Sequence, residues 1–420
     1  MSSKKFYAYF TILSISLTIS ILIILLVNEF ASILLRNNPE LVMAPESRIN
    51  ENTRAIREKM INDNQAVLWY NLDSANEVKP MWDEFYRAGN QFESYVHFRS
   101  KSYIGKYYGV ELEGYRRVKN NGEWPISVKN FNVFFFGGST SFGVGPYWAT
   151  TASYLQESLN AQKIHKPVRV YNFGRSGYQS SQEMILFQQL LSGGHKPDMV
   201  VFLDGLNDFC FLDGQPSSWQ NLAGFFNESN DRYVRQMAGY GIVTKWELLS
   251  DFVKTMPLMK LTNSVLDRTF YTKIPQYNSP QINTITDEKS ESKQILESVI
   301  KRYLNNMLQI KAISNAYGIV PVFVWQPIPT YQYDLTNHIF NPDRLGCHIN
   351  SKIGYPLMHD LQAYQVLGDS FIWAADIQKD LKEPIYVDAF HYTAPMSKRI
   401  AEFIGEKISR RRLIKVVNNE

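Results

Sequence analysis

Near the C-terminal end of the sequence, Asp388 stands three residues before His391 in Val387-Asp388-Ala389-Phe390-His391-Tyr392-Thr393. A carboxylate that close can fix the imidazole tautomer and stabilise the imidazolium formed when the ring takes a proton. A histidine on its own is more often structural. The nucleophile that would use this base is Ser139, in Gly137-Gly138-Ser139-Thr140-Ser141-Phe142-Gly143. A glycine pair lets the backbone turn sharply and leaves the serine with little steric cover near the start of a helix. A helix N-cap is the other common use of such a residue, and Ser141 is the rival nucleophile. The Gly138-to-Gly143 spacing imitates a phosphate-binding loop, but Val144 stands where that motif needs lysine, so phosphate binding is excluded.

Two further loops hold groups suited to a developing oxyanion. Asn172-Phe173-Gly174-Arg175-Ser176-Gly177-Tyr178 and Asp204-Gly205-Leu206-Asn207-Asp208 each set a glycine beside polar groups, able to aim a backbone N–H or a side-chain amide at one point. Separately both are ordinary turns.

The elements that must position these loops are short apolar runs. Val133–Phe136, Val168–Tyr171, Met199–Leu203, Ile319–Val324 and Ile385–Val387 read as strands, most of them separated by helical stretches. Continuous apolar runs suit a parallel sheet covered on both faces, with helices as crossovers and the chemistry at the C-terminal strand ends. One helix is expected at about 294–316.

Taken together, the four loops resemble those of the SGNH/GDSL hydrolase family, whose four blocks supply Ser, Gly, Asn and an Asp-x-x-His pair. The matches are Ser139, Gly177, Asn207, and Asp388 with His391; the departure is Gly138, where the family's eponymous motif has Asp. The resemblance covers about residues 131–408 and implies a three-layer α/β/α, flavodoxin-like fold. It also implies ester chemistry, with a catalytic triad of Ser139, His391 and Asp388. The oxyanion hole would be the Ser139 and Gly177 N–H groups and the Asn207 amide. Such a mechanism calls for no metal and no organic cofactor. The expected substrate is an acylated carbohydrate or another ester, and the expected activity is removal of O-acyl groups from an envelope or extracellular glycan. Acyl transfer to a polysaccharide by the same triad is the alternative, as is a catalytically silent surface protein keeping only the fold.

The N-terminus adds a location. Phe6 to Val27 is a stretch of 22 residues without a charge, and at 1.5 Å per residue a helix of that length spans roughly 33 Å. A cleaved signal peptide is the competing reading, but its apolar region is usually shorter and ends in a small-x-small site, whereas Asn28-Glu29-Phe30 follows here. Lys4 and Lys5 before the span, against Arg36 alone after it, place residues 1–5 in the cytoplasm and everything after about residue 36 outside. The expected organisation is a transmembrane anchor at 6–27, a stalk and lead-in segment at 28–130, the catalytic domain at 131–408 and a basic tail at 409–420. Helix-like spacing over Asn52–Asn64 belongs to the stalk.

Composition limits the rest. The chain has 420 residues, 45% hydrophobic and 20% charged, so it folds around a real core. A net charge of only +4, with its one compact basic run at Arg410-Arg411-Arg412, argues against nucleic acid as a partner. Nothing in the sequence sets the oligomeric state. Two cysteines, Cys210 and Cys347, permit one bridge or two buried thiols. The insertion at about 209–293 carries Trp219, Phe225, Phe226, Tyr233, Tyr240 and Trp246, which suit a small core or substrate stacking. Residues 275–293 read as a mobile linker. A second long loop, Gln326 to Tyr355, contains Tyr331, Tyr333, His338, Arg344 and His348; its histidines lack metal-site spacing and are read as facing the surface or the substrate.

Overall fold

The computed structural model describes residues 3–37, 63, 65–162, 164–215, 253, 256–259, 261–262, 290–339, 345–363 and 367–414. The insertion aromatics, Arg344, the linker up to residue 289 and all of the 52–64 stretch but Asp63 lie outside them. The chain separates into one unit of residues 1–55 and 223–280 and another of residues 56–222 and 281–420.

In the first unit, helix α1 (Ser3–Asn37) contains a 21-residue segment, Ser14–Leu34, long and apolar enough to cross a membrane. That property is shared by anchors and signal sequences. Its Ile, Leu and Val side chains from Ile15 to Val27 are exposed, and the Thr18 hydroxyl donates back to the Ser14 carbonyl at 2.9 Å, which satisfies it within its own helix.

The second unit begins with α2 (Ala66–Tyr70) and α3 (Val78–Arg87). Val78, Met81, Trp82 and Phe85 fall at helical spacing on one side of α3 and pack with Trp69, Tyr70, Tyr107 and Val387. Two small antiparallel pairs follow, β1 (Asn90–Glu93) with β2 (His97–Ser100) and β3 (Tyr103–Ile104) with β4 (Gly109–Val110).

The main sheet has five parallel strands in the order β6-β5-β7-β8-β9: β5 (Phe131–Gly137), β6 (Val168–Asn172), β7 (Met199–Asp204), β8 (Val320–Trp325) and β9 (Phe371–Trp373). Alternate side chains serve opposite faces. Phe134, Phe136, Val200, Phe202, Phe323 and Trp325 meet α6 (Ser180–Ser192), α7 (Ser290–Tyr317) and α8 (Ser351–Ala363). Val133, Phe135, Val201, Leu203, Val322 and Val324 meet α5 (Thr151–Asn160) and α9 (Ala394–Arg410). Burial on both faces is why the central strands read as largely apolar runs. The result is the expected three-layer α/β/α arrangement, with α4 (Ser139–Phe142) directly after β5.

One strand differs from expectation. Ile385–Val387 is not in the sheet; the fifth strand is the three-residue run Phe371–Trp373. Tyr386 instead makes an isolated antiparallel bridge with Tyr392, so the buried Ile385–Val387 run closes a loop back on itself. A run that is apolar because it is buried looks the same in sequence whether or not it joins a ladder.

Candidate active site

In this strand order the chain leaves the first parallel strand, β5, on one side to make β6 and on the other to make β7. The crevice beyond the carboxyl ends of β5 and β7 is therefore the topological switch point. Ser139 follows β5 and Asn207 follows β7, so both lie at this crevice, with Gly177 on the loop after the neighbouring β6.

The turn off β5 needs its glycines. Gly137 has φ +146°, and a β-carbon there would come within 2.7 Å of the Leu203 carbonyl. Three hydroxyls follow, and two point inward: Thr140 Oγ1 donates to Gln326 Oε1 at 2.7 Å, while Ser141 is fully buried with its Oγ toward the Leu203 carbonyl at 3.5 Å. Ser139, at the head of α4, is half-buried and has neither commitment.

His391 Nδ1 lies 2.6 Å from Asp388 Oδ2, and Asp388 Oδ1 accepts the backbone N–H groups of Phe390 at 3.0 Å and His391 at 2.8 Å. Burial pushes the Asp388 carboxyl up, but the His391 charge and these hydrogen bonds outweigh it and hold the group below its ordinary value. Both side chains remain reachable, at 16% and 19% exposure. No hydrogen bond joins Ser139 Oγ to the His391 ring among the described residues. The two blocks meet one residue further along: the single hydroxyl hydrogen of Tyr392 is shared between Gln326 Oε1 at 2.9 Å and the Pro327 carbonyl at 2.6 Å, so Gln326 links Thr140 to Tyr392.

The Asn207 amide is aimed by its neighbour. Its Nδ2 donates to the Tyr178 carbonyl at 2.6 Å, which uses one of two amide hydrogens and leaves the second for another acceptor. Tyr178 directly follows Gly177, whose φ of +73° suits only glycine without strain. A β-carbon on Gly138 would collide with this same Asn207 Nδ2. The serine, glycine and asparagine loops are thus in mutual contact.

The family model for GDSL-like lipase/acylhydrolase matches residues 133–404. The chain belongs to this family. It is accordingly a hydrolase of ester bonds. Similar solved structures include a putative lipolytic protein of the G-D-S-L family from Desulfitobacterium hafniense DCB-2, at 11% identity over 66% of this chain and 99% of that one, with a TM-score of 0.30. The lipase/acylhydrolase from Enterococcus faecalis is similar at 12% identity over 67% and 96%, with a TM-score of 0.33. Among curated proteins nothing matches.

Within this GDSL chain two site neighbours, Gln326 and Arg116, were not singled out from the sequence. Gln326, the first residue beyond β8, was findable as a strand-end polar group; Arg116, buried against α4, was not. The structure also corrects the reading of one loop histidine. His338 is only 9% exposed, stacked on Tyr386, with Nε2 3.3 Å from the Ala389 carbonyl. His348 is half-buried, with its ring centroid 4.5 Å from that of Phe390, which in turn lies 4.7 Å from that of His391. Burial pushes its imidazole down to about 4, against an opposing hydrogen bond to the Leu206 backbone. Cys210 and Cys347 form a disulfide with Cα atoms 4.7 Å apart, joining the Asn207 loop to the residue before His348.

Beneath the Asn207 loop of this GDSL fold lie three buried carboxyls. Glu183 and Asp204 are raised by burial and by neighbouring acids, and Asp208 by burial. Asp208 accepts from the Ser180 hydroxyl at 2.6 Å, and Asn306 donates to that same hydroxyl at 3.0 Å. These bonds tie the loop to α6 and α7.

Proposed function

We propose that this hydrolase is a membrane-anchored serine esterase that removes O-acyl groups, acetyl above all, from an envelope or extracellular glycan. Ser139 attacks the acyl carbonyl, His391 takes its proton and returns it to the leaving hydroxyl, and Asp388 orients the imidazole and balances its charge. The tetrahedral oxyanion is met by the Ser139 N–H, the Gly177 N–H and the second hydrogen of the Asn207 amide. Water, activated by His391, then releases the acyl group from Ser139.

The observation that carries the reading is the division of labour among the three hydroxyls of Ser139-Thr140-Ser141. Two are held inward, by Gln326 Oε1 and toward the Leu203 carbonyl, while Ser139, half-buried after the end of β5, has neither bond, and the Asp388–His391 pair would supply its base. The apolar segment Ser14–Leu34 supports an anchor, and the stronger cationic flank of Lys4 and Lys5 supports a catalytic unit outside the membrane. An enzyme tethered there meets envelope polymers at high local concentration.

Two assays on the full chain in detergent test the proposal. A fluorophosphonate should label Ser139 and no other serine, and labelling should vanish in Ser139→Ala. Acetylated polysaccharide should be turned over faster than long-chain p-nitrophenyl esters. A preference for long acyl chains would overturn the glycan assignment, and acetyl transfer to an added sugar outpacing hydrolysis would make the protein a transferase.

A further inference from the structure

Arg116 lies before the first residue matched by the family model, yet its side chain is fully buried against the element that bears Ser139. Its backbone N–H donates to the Asn172 carbonyl at 2.7 Å, fixing it beside the end of β6. Nη1 donates to the Phe142 carbonyl at 2.6 Å and also to that of Gly143, and Nη2 donates to that of Gly145. The guanidinium sits over the Phe142 ring at 4.7 Å and the Tyr108 ring at 5.2 Å. Among the described residues no carboxylate forms an ion pair with it.

A buried cation without a counter-ion is costly, so its hydrogen bonds must be numerous and well placed to keep it there. Here every acceptor is a carbonyl at or just after the C-terminal end of α4. Those are the groups a helix end leaves without partners. Asn172 shares the task, since its Nδ2 donates to the Ser141 carbonyl at 3.0 Å and its Oδ1 accepts the Gly174 N–H at 2.9 Å. A helix of four residues has too few internal bonds to hold its own direction. The planar fork of arginine reaches these carbonyls from two nitrogens held a fixed distance apart, a geometry that the single nitrogen of an ammonium does not reproduce.

We infer that Arg116, together with Asn172, is a positioning residue that clamps the C-terminal carbonyls of α4 and thereby fixes the direction in which Ser139 meets the acyl carbonyl. The inference rests on Ser139 being the nucleophile. It makes the segment before the matched family region part of the catalytic machinery, because loss of a productive geometry by about 1 Å costs on the order of 10²-fold in rate.

The test reads the second-order rate of fluorophosphonate inactivation, with kcat and KM on p-nitrophenyl acetate, in the full chain. If the wild-type protein is not labelled on Ser139, the serine-esterase reading fails. With labelling established, folded Arg116→Lys and Arg116→Ala should both be inactivated about 10- to 100-fold more slowly, with kcat falling in step and KM within about threefold. Guanidinium ion should restore part of the rate to Arg116→Ala, and methylammonium should not. Inactivation rates within twofold of wild type in the folded variants would overturn the inference, as would equal rescue by both cations. If the Arg116 variants do not fold, Asn172→Ser decides: a slower inactivation supports the clamp, and an unchanged rate overturns it.

Discussion

Gly138 lies directly against the Asn207 amide, so closely that a β-carbon at 138 would have to displace Nδ2. Asn207 occupies that space and is held there by the Tyr178 carbonyl at 2.6 Å. A side chain at 138 must push the amide off that carbonyl. We therefore expect Gly138→Ala and Gly138→Asp to lower kcat by at least about tenfold, approaching the 10²–10³ typical of losing one oxyanion donor. Steady-state kinetics check this, and full activity in Gly138→Asp would contradict it.

Gln326 predicts a different signature. Its Oε1 accepts from both Thr140 and Tyr392, but Tyr392 also has the Pro327 carbonyl, whereas among the described residues Thr140 has no second acceptor. Gln326→Leu leaves one buried hydroxyl unsatisfied, which costs about 1–3 kcal/mol. Urea unfolding should show that loss, and kcat should fall because the serine and histidine blocks lose their shared partner. Gln326→Glu, which keeps an acceptor, should recover more activity than Gln326→Leu.

His348 gives a pH-dependence with a fixed sign. Its folded value is lowered to about 4 from an ordinary 6.5, so between those values the unfolded chain binds a proton that the folded chain does not. Stability from this group is therefore fully present above about pH 6.5 and is lost as pH falls toward 4. His348→Gln should remove a slope of up to about 1.4 kcal/mol per pH unit in that window. Parallel stability curves for the two proteins between pH 4.5 and 6.5 would refute the assignment.

The disulfide should matter to both stability and rate. It closes a loop of 137 residues, and bridges of this kind contribute about 2–4 kcal/mol. Cys210 also follows Asn207 by three residues, with its N–H on the Asn207 carbonyl at 3.0 Å. Unfolded, unreduced protein should take up no alkylating agent. The Cys210→Ser/Cys347→Ser protein should unfold at lower denaturant and turn over more slowly; an unchanged midpoint would show that the bridge does not constrain the native unit.

The candidate site residues could be named from sequence because each sits in a short local pattern. Ser139 follows a glycine pair, Asp388 and His391 share one loop, and the strand runs of β5 to β8 are mostly apolar, with Arg169 in β6 an exception. Local patterns of this kind depend on neighbours in the chain, which the sequence displays directly. What was misread failed for the same reason. Phe371–Trp373 is too short to stand out as a strand, and the buried Ile385–Val387 run imitates one while pairing only Tyr386 with Tyr392.

The sequence by itself determined the fold class, the order of the four loops and the candidate residues on them. Only the tertiary structure decided which hydroxyls of Ser139-Thr140-Ser141 are turned inward, how Asn207 is aimed, and that Arg116 and Gln326 bond to the helix that bears Ser139. The physical reason is distance along the chain. Thr140 and Gln326 are separated by 186 residues, and Arg116 and Phe142 by 26. Their hydrogen bonds exist only after the parallel sheet has brought its strand ends together, and no periodicity or spacing in the sequence records where a buried donor will find its acceptor.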